Sequence, residues 1–258
     1  MIRARAIAAG GYPALLRLSR LAPLGPEDRA TITRAIDAAQ VTRAHREILV
    51  ERREIRGPRL IVGGWAARVR TLVDGRRQFL SFLLPGDLIG LCHHPRPLAL
   101  TTVVALTDVA HCPAPHDTAP QDAAPQDAAG ATIKEAYARS QAMEAAYLLA
   151  QITRLGRMTA QERIADLFLE LHERLTLAGL TRGTAFELPL TQESLGDALG
   201  LTAVHVNRTL QTLRRSGDID MAGRQVTLRD PAALARSVGR SPIRVSADDP
   251  DPHRPALD

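Results

Sequence analysis

The sequence predicts an α+β fold in which short antiparallel strands come first and helices follow. Three observations predict it. Turn signals separate short β-like segments as far as residue 111, the stretch Thr132–Leu155 contains neither glycine nor proline, and helical periodicity continues beyond that stretch. With 258 residues, of which 45% are hydrophobic, the chain has enough apolar material for one large domain or two of ordinary size.

The first part of the chain, residues 15–112, is predicted to be a small antiparallel sandwich or barrel. Helical spacing in Asp28–Ala39 precedes a series of short β-like segments separated by turns that contain glycine or proline. These segments are Val41–Thr42, Ile48–Glu51, Leu60–Val62, Ala66–Leu72, Gln78–Leu84, Leu98–Ala105 and Val109–His111. Asp74-Gly75 lies between two apolar runs and predicts a tight hairpin.

Two segments have a biased composition and no apolar periodicity. Residues 113–130 contain the tandem repeat APQDAAPQDAAG and are predicted to form a flexible linker. Residues 237–258, rich in proline and aspartate from Ser241 onward, are predicted to form a disordered tail. Neither segment carries a candidate catalytic group.

A long helix is predicted over residues 131–157. It carries a weakly apolar stripe whose 4-3-4-3 spacing is typical of a helix that pairs with another helix. The stripe comprises Ala136, Ser140, Met143, Tyr147 and Ala150. We interpret the segment as a dimerisation helix; the alternative is that the stripe packs against the helix's own domain.

Residues 158–236 are predicted to form a second domain that contains a helix-turn-helix. A helix over Thr159–Leu177 begins with a capping box formed by Thr159 and Glu162. Farther on, Thr191 caps a short helix, Gly200 permits the left-handed turn that a tight corner needs, and Thr202 caps the next helix.

The helix predicted over residues 202–216 has one buried side and one polar side. At about 100° per residue, Val206, Leu210 and Leu213 share a narrow inward stripe. The opposite side carries Val204, Asn207, Arg208, Gln211 and Arg215. Arginine recognises guanine and amides recognise adenine in the major groove, so this side predicts DNA reading; the alternative is an ordinary solvated face.

A short hairpin follows this helix and completes the pattern of a winged helix-turn-helix. Asp218–Met221 and Gln225–Leu228 are the strands, and Arg224 at the tip is predicted to contact the DNA backbone. The net charge of +5 and a pI of about 10 permit an anionic partner. The charge alone is weak evidence, because the basic residues are almost all arginine, with Lys134 the single lysine.

The run LTQESLGDALGLTAVHVNRTLQTLRRSGDI resembles the C-terminal module of the cyclic-AMP receptor protein/FNR (Crp/Fnr) family of bacterial transcription regulators. The order of elements also fits over residues 15–235. The resemblance implies an N-terminal antiparallel β-roll like a cyclic-nucleotide-binding domain, a dimerisation helix and a DNA-binding winged helix-turn-helix. It further implies a homodimer on a palindromic operator in double-stranded DNA, with RNA polymerase as a further partner.

The resemblance also assigns DNA contacts to particular positions. Thr202 is similar to the residue that caps the recognition helix and contacts phosphate, and Arg208 matches the family's recurrent arginine. Ala203 and Val204 replace the arginine and glutamate of the founding members and can make only apolar contacts, for example to a thymine methyl group. Further base contacts are expected from Asn207 and Gln211, and phosphate contacts from Thr191 and Gln192.

The effector site departs from the family pattern, PGDxxGE followed by an Arg-Ser or Arg-Thr pair. Gly86, Asp87 and Gly90 are present, but Leu91 replaces the glutamate, and Arg96 could supply the arginine only if the register slips. These five residues are the expected pocket, and cyclic AMP is not the expected ligand because a buried phosphate needs a counter-charge.

No cofactor is predicted. The adjacent residues Cys92, His93 and His94 suggest a metal or haem site, but neighbours in a strand point to opposite faces, and an incidental surface loop is favoured. The multi-cysteine pattern of an iron–sulfur regulator is absent, since Cys92 and Cys112 are the only cysteines.

The remaining function classes are weaker. The sequence contains no run of about 18 apolar residues, so no membrane span is predicted. The N-terminal stretch does not resemble a signal peptide, and a cytoplasmic setting is expected. Residues 1–185 contain no phosphate loop, nucleophile elbow or HExxH motif, so an enzyme is not expected. An enzyme with an attached helix-turn-helix and a winged-helix module that binds protein are the alternatives.

Overall fold

The computed structural model describes residues 12–92, 94–115 and 131–245. Its N-terminal part contains α1 (Pro13–Leu21), α2 (Pro26–Asp37), β1 (Gln40–Thr42), β2 (Glu47–Leu49), β3 (Arg59–Gly63), β4 (Ala66–Thr71), β5 (Arg77–Leu83), β6 (Leu88–Ile89), β7 (Thr102–Ala105) and β8 (Val109–Pro113). The C-terminal part contains α3 (Ala131–Arg157), α4 (Ala160–Leu177), β9 (Thr181–Arg182), β10 (Ala185–Glu187), α5 (Gln192–Leu199), α6 (Ala203–Arg215), β11 (Ile219–Ala222), β12 (Gln225–Leu228) and α7 (Pro231–Ser237). The α+β prediction is confirmed.

The N-terminal strands form two four-stranded antiparallel sheets, ordered β1-β8-β3-β6 and β2-β7-β4-β5. Ile61 and Val109 of the first sheet pack with Ala66, Leu83 and Val103 of the second in one buried core. This is the predicted β-roll. The hairpin predicted at Asp74-Gly75 joins β4 to β5.

Helix α1 is missing from the sequence-based prediction. It begins at Pro13, whose fixed φ suits the first helical position, and it buries Ala14, Leu18 and Leu21. These side chains join a core with α2, α3 and the outer face of the first sheet. The helix therefore connects the β-roll to α3.

Helix α3 spans the residues predicted for it, but the stripe predicted to face a second subunit packs against the helix's own chain. Ala136, Ser140, Met143 and Tyr147 are buried within the chain. Tyr147 lies beneath the Arg174 guanidinium of α4, 4.7 Å from the ring centroid. The interpretation of this stripe as a dimer seam is wrong, because α1 and α4 of the same chain cover it.

The second domain is built on α4, which begins with the predicted capping box of Thr159 and Glu162. Phe168 of α4, Phe186 of β10 and the inward side of α6 share one core. That core also includes Phe79 and Phe82, so the second sheet of the β-roll packs directly on this domain.

The predicted limits of the linker and the tail need correction. Strand β8 continues to Pro113 and Ala114 is buried, so the linker cannot begin at 113; residues 116–130 lie outside the described residues. A disordered tail from 237 is wrong as far as 245, because Ser237 ends α7 and Arg240 binds Asp166 and Glu173. Residues 246–258 also lie outside the described part.

No helix in the described ranges is both long enough and apolar enough to cross a bilayer.

Candidate nucleic-acid interface

The corner between α5 and α6 is set by local interactions that the sequence encodes. The Thr191 hydroxyl accepts a hydrogen bond from Ser194 N (3.0 Å) and caps α5. Gly200 ends that helix with φ 65°, and the Thr202 hydroxyl accepts from His205 N (3.2 Å) to cap α6. Gly196 allows the close approach, since a Cβ there would lie 2.4 Å from the Leu201 carbonyl oxygen.

Helix α6 presents the predicted polar side outward. Val206, Leu210 and Leu213 are buried, which fixes the rotation of the helix about its axis. We call the opposite side the reading face, composed of Val204, Asn207, Arg208, Gln211 and Arg215. Its members are exposed except Asn207, which is half-buried.

The polar groups of the reading face are available for a ligand. Gln211 Nε2 donates to Asn207 Oδ1 at 2.8 Å, which aligns the two amides along the helix. Among the described residues, the exposed Arg208 guanidinium has no hydrogen-bond or ion-pair partner. A free guanidinium beside aligned amides can form the paired hydrogen bonds that read base edges.

Six of the residues predicted for DNA contact come together in space. A surface concavity of about 360 Å³ is lined by Gln192, Ala203, Val204, Asn207, Arg208 and Gln211. Thr191 and Thr202 are exposed at the first turns of α5 and α6, where helix N-termini favour phosphate. The sequence-based interpretation missed Arg214, which lines an adjacent concavity with Gln211, Arg215 and Asp220; its position in the last turn beside Arg215 was the available signal.

The wing is present where it was predicted. Strands β11 and β12 pair in register from Ile219–Leu228 to Ala222–Gln225, and Gly223 and Arg224 form the turn. The Arg224 side chain is exposed, while its carbonyl accepts from Leu188 N at 2.7 Å. The backbone of the wing tip is therefore fixed and its guanidinium points to solvent.

The rest of the molecule holds α5 in place. The Ala198 carbonyl near the end of α5 accepts hydrogen bonds from Gln78 Nε2 of β5 (3.2 Å) and Gln151 Nε2 of α3 (2.6 Å). Arg77 forms an ion pair with Asp197 at 2.8 Å. The helix that precedes α6 is thus bonded to both the β-roll and the long helix.

The effector residues predicted from sequence do not form one site. Asp87 is buried, and its carboxylate accepts from Arg17 Nη2 (2.9 Å), Arg174 Nη2 (2.7 Å) and Leu84 N (2.7 Å). Burial raises the pKa of Asp87, but the two guanidiniums and the hydrogen bond from Leu84 N lower it by more than burial raises it. The net pKa is therefore lowered, and the group is ionised. Gly86 faces the Arg17 side chain. The assignment of Gly86 and Asp87 to an effector pocket is wrong.

Asp87 belongs to a buried charge cluster that connects the domains. Its members are Arg17, Asp87, Arg154, Asp166, Glu170, Glu173, Arg174 and Arg240. Arg174 pairs with Glu170 (3.0 Å), and Arg154 pairs with Glu170 (2.6 Å) and Asp166 (2.7 Å). Arg240 completes it by pairing with Asp166 (3.0 Å) and Glu173 (2.9 Å). Positive and negative groups alternate, so each buried charge has an opposite neighbour.

Gly90 and Leu91 do line a cavity, whereas Arg96 does not. The cavity measures about 410 Å³ and lies between the β-roll and α3. Arg96 is exposed and pairs with Glu54 at 3.3 Å, so its assignment to the pocket is also wrong. Cys92 lines the cavity and His93 lies outside the described residues. Within the described ranges no three metal-binding side chains come together.

A helix-turn-helix with a wing, an exposed amide and guanidinium face, and helix caps open to phosphate define a DNA-binding protein. A family model of the Crp-like helix-turn-helix domain matches residues 162–237. The transcriptional activator FnrL of Cereibacter sphaeroides is 32% identical over 183 residues, covering 69% of this chain and 71% of FnrL. The nitrogen fixation regulation protein FixK of Azorhizobium caulinodans is 29% identical over 208 residues, covering 80% and 82% of the two chains.

The solved structure of FixK2 from Bradyrhizobium japonicum is similar to this chain with a TM-score of 0.60 and 30% identity. The match covers 77% of this chain and 96% of FixK2. The chain therefore belongs to the Crp/Fnr family of transcription regulators. These relatives are named as transcription regulators, which confirms the expectation from the sequence that the chain is a regulator and not an enzyme.

Proposed function

We propose that this regulator acts as a homodimer that reads a palindromic operator in double-stranded DNA. The observation that carries the proposal is the exposed reading face with its unpaired Arg208, placed on a helix whose buried side fixes its orientation. Arg208, Asn207 and Gln211 supply the base contacts, and Ala203 and Val204 supply apolar contacts. Thr191, Gln192, Thr202 and Arg224 hold the phosphates, which sets the register of the helix on the duplex.

The dimer forms through the side of α3 that the chain leaves uncovered. Spacing of 4-3-4-3 recurs there in an exposed stripe of small and aliphatic residues, namely Ala138, Ala142, Ala145, Leu149 and Ile152. Leu149 and Ile152 are 66% and 68% exposed, which is costly for aliphatic side chains in water. A second α3 packed on this stripe buries them as a coiled-coil seam.

The two-fold axis of such a dimer gives the operator its symmetry. Two copies of α6 enter successive major grooves about 34 Å apart. RNA polymerase is the further partner that the proposal implies, and the cytoplasm is its setting. The effector is not a cyclic nucleotide, because Leu91 replaces the ribose-binding glutamate and the Asp87 turn is committed to internal ion pairs.

The test combines selection of bound DNA from a random pool with measurement of the oligomeric state. The wild type is expected to sediment as a dimer and to select inverted repeats with half-site centres one helical turn apart. Leu149→Arg combined with Ile152→Arg is expected to sediment as a monomer and to lose about 10²-fold or more in operator affinity, because linkage of two half-sites supplies that gain.

Val73→Arg serves as the control, since Val73 is a fully exposed aliphatic residue on the β4–β5 hairpin. It should leave both the oligomeric state and the affinity unchanged. A monomeric wild type, or a double variant that still dimerises, would overturn the proposed seam. Selection of single, non-repeated sites would overturn the palindromic operator.

A further inference from the structure

The cavity between the β-roll and α3 has a predominantly aliphatic lining. Leu49, Ile55, Leu80 and Leu88 come from the β-roll side, and Ala145 and Leu148 come from α3. Leu91, Leu98, Ala99 and Leu100 belong to the loop between β6 and β7. At about 410 Å³ the cavity lies within the size range of sites that bind small molecules.

The charge in this cavity is already neutralised. Arg68 of β4 is the only cation among the lining residues that the structure describes. Its Nη2 lies 2.6 Å from Glu144 Oε1 of α3 and donates to the Leu88 carbonyl oxygen at 3.2 Å. An anionic ligand would have to displace Glu144 from the guanidinium, whereas a neutral ligand leaves the ion pair intact.

Apolar side chains at the cavity remain open to water. Leu98 is 53% exposed and Leu100 is 83% exposed, although both lie beside the cavity. Thr101, Gln141 and the weakly hydrogen-bonding thiol of Cys92 are the uncharged side chains there that can form a hydrogen bond. An occupant with a large apolar surface and few polar groups complements this arrangement.

We propose that this cavity binds a neutral, predominantly apolar small molecule, and that the Arg68–Glu144 ion pair excludes anionic ligands. The proposal deepens the proposed function by naming the chemical class of the effector. It can be tested without DNA, so it fails or succeeds separately from operator binding. Because Ala145 belongs both to the cavity and to the exposed stripe of α3, the occupant lies next to the proposed dimer seam.

The first experiment compares two fluorescent probes that differ by one charged group. N-phenyl-1-naphthylamine is neutral, and 8-anilinonaphthalene-1-sulfonate carries a sulfonate on the same framework. We expect the full chain to bind the neutral probe saturably, at one site per protomer, and at least tenfold more tightly than the sulfonate. Equal or tighter binding of the sulfonate, or no saturable binding of the neutral probe, would overturn the proposal.

Two variants locate the binding site. Thr101→Trp and Leu148→Trp each place an indole at the lining, from the β-roll side and from α3 respectively. Each variant that retains the wild-type circular dichroism spectrum is expected to bind the neutral probe with at least tenfold lower affinity. Leu72→Trp, on the exposed β4–β5 hairpin, is the matched control and should bind as the wild type does. Unchanged binding in both cavity variants would place the probe elsewhere and overturn the assignment.

A third variant tests the role of the ion pair. Glu144→Gln leaves the Arg68 guanidinium without its carboxylate, so affinity for the sulfonate probe should rise at least tenfold while the neutral probe is little affected. Glu135→Gln is the control, because Glu135 lies on the same helix and pairs with Arg139 (3.4 Å). No gain of sulfonate binding in Glu144→Gln would show that the pair does not exclude anions.

Discussion

The reading face of α6 and the Asp87 turn of the β-roll both carry residues that resemble functional positions of the family, yet the structure uses them in opposite ways. Arg208 is exposed and unpaired within the described chain. Asp87 is 6% exposed and is held between two guanidiniums. Resemblance to the family's functional positions therefore coincides with side chains open to a ligand in one region and with internal ion pairs in the other.

The two regions differ in the sequence separation of the residues that determine each environment. Exposure of α6 is decided by its own periodicity, since Val206, Leu210 and Leu213 fill the inward side. The surroundings of Asp87 are decided by Arg17 and Arg174, which approach from α1 and α4. Substitutions in the two regions should consequently separate effects on folding from effects on DNA binding.

The largest effect is expected for Asp87→Asn, which removes a charge from the buried cluster. Breaking a buried ion pair costs about 3–5 kcal/mol. Here the Arg17 guanidinium would remain buried without its carboxylate, and Arg174 would keep only Glu170. Urea unfolding would measure the change. Asp74→Asn, on an exposed hairpin, should cost far less, because solvent screens its ion pair with Arg76. Equal losses in the two variants would show that the cluster does not brace the domains.

A smaller effect, dependent on pH, is expected from His111 in the β-roll. Its Nδ1 accepts from Arg59 Nε at 2.7 Å, and its Nε2 lies 2.8 Å from the Thr42 hydroxyl. Burial, with a contribution from the Arg59 charge, lowers the pKa of His111 to about 4. The unfolded chain, with a pKa of about 6.5, binds more protons between these values. Stability is therefore lost as pH falls from about 6.5 to 4, by up to about 3 kcal/mol.

Comparison of variants isolates the contribution of His111 from that of the carboxyl groups. The free energy of unfolding should depend less steeply on pH between 6.5 and 4 in His111→Gln than in the wild type. Leu72→Gln, on the exposed β4–β5 hairpin, introduces no titratable group and should retain the wild-type slope. An unchanged slope in His111→Gln would contradict the lowered pKa.

The smallest expected effect is that of Arg208→Ala, and it should appear in binding and not in folding. Loss of one bidentate base contact costs about 1–3 kcal/mol of operator affinity and relaxes specificity at one base pair per half-site. Stability should stay within about 0.5 kcal/mol, because the side chain is exposed. Arg53→Ala, an exposed arginine of the β-roll, controls for net charge. Unchanged sequence preference in footprinting would remove Arg208 from the reading role.

The contrast also explains what the sequence could predict. The caps at Thr159, Thr191 and Thr202, the corner at Gly200 and the rotation of α6 all depend on residues within a few positions of one another. Because these features depend on residues close together in the sequence, the sequence predicts them correctly. The wing followed for the same reason, as its turn lies between two short alternating strands.

Features that depend on distant segments were not predictable in this way. Helix α1 was missed, and without it the stripe of Ala136, Met143 and Tyr147 was interpreted as a dimer seam. Both sides of α3 carry a stripe with the same spacing, the inner one including Ser140 and Tyr147 and the outer one including Leu149 and Ile152. The sequence alone does not show which stripe the chain covers with its own helices. The partners of Asp87 could be recognised only after α1 and α4 were placed.

The buried charge cluster has a consequence for exchanging domains between relatives. Asp87 comes from the β-roll, Arg154 from α3, Glu170 and Arg174 from α4, and Arg240 from the segment after α7. A chimera that joins this β-roll to the winged-helix domain of a relative would bury the Asp87 carboxylate with Arg17 but without Arg174. The β-roll and the winged-helix domain of this protein are thus matched by charge, and a successful graft has to carry both halves of that match.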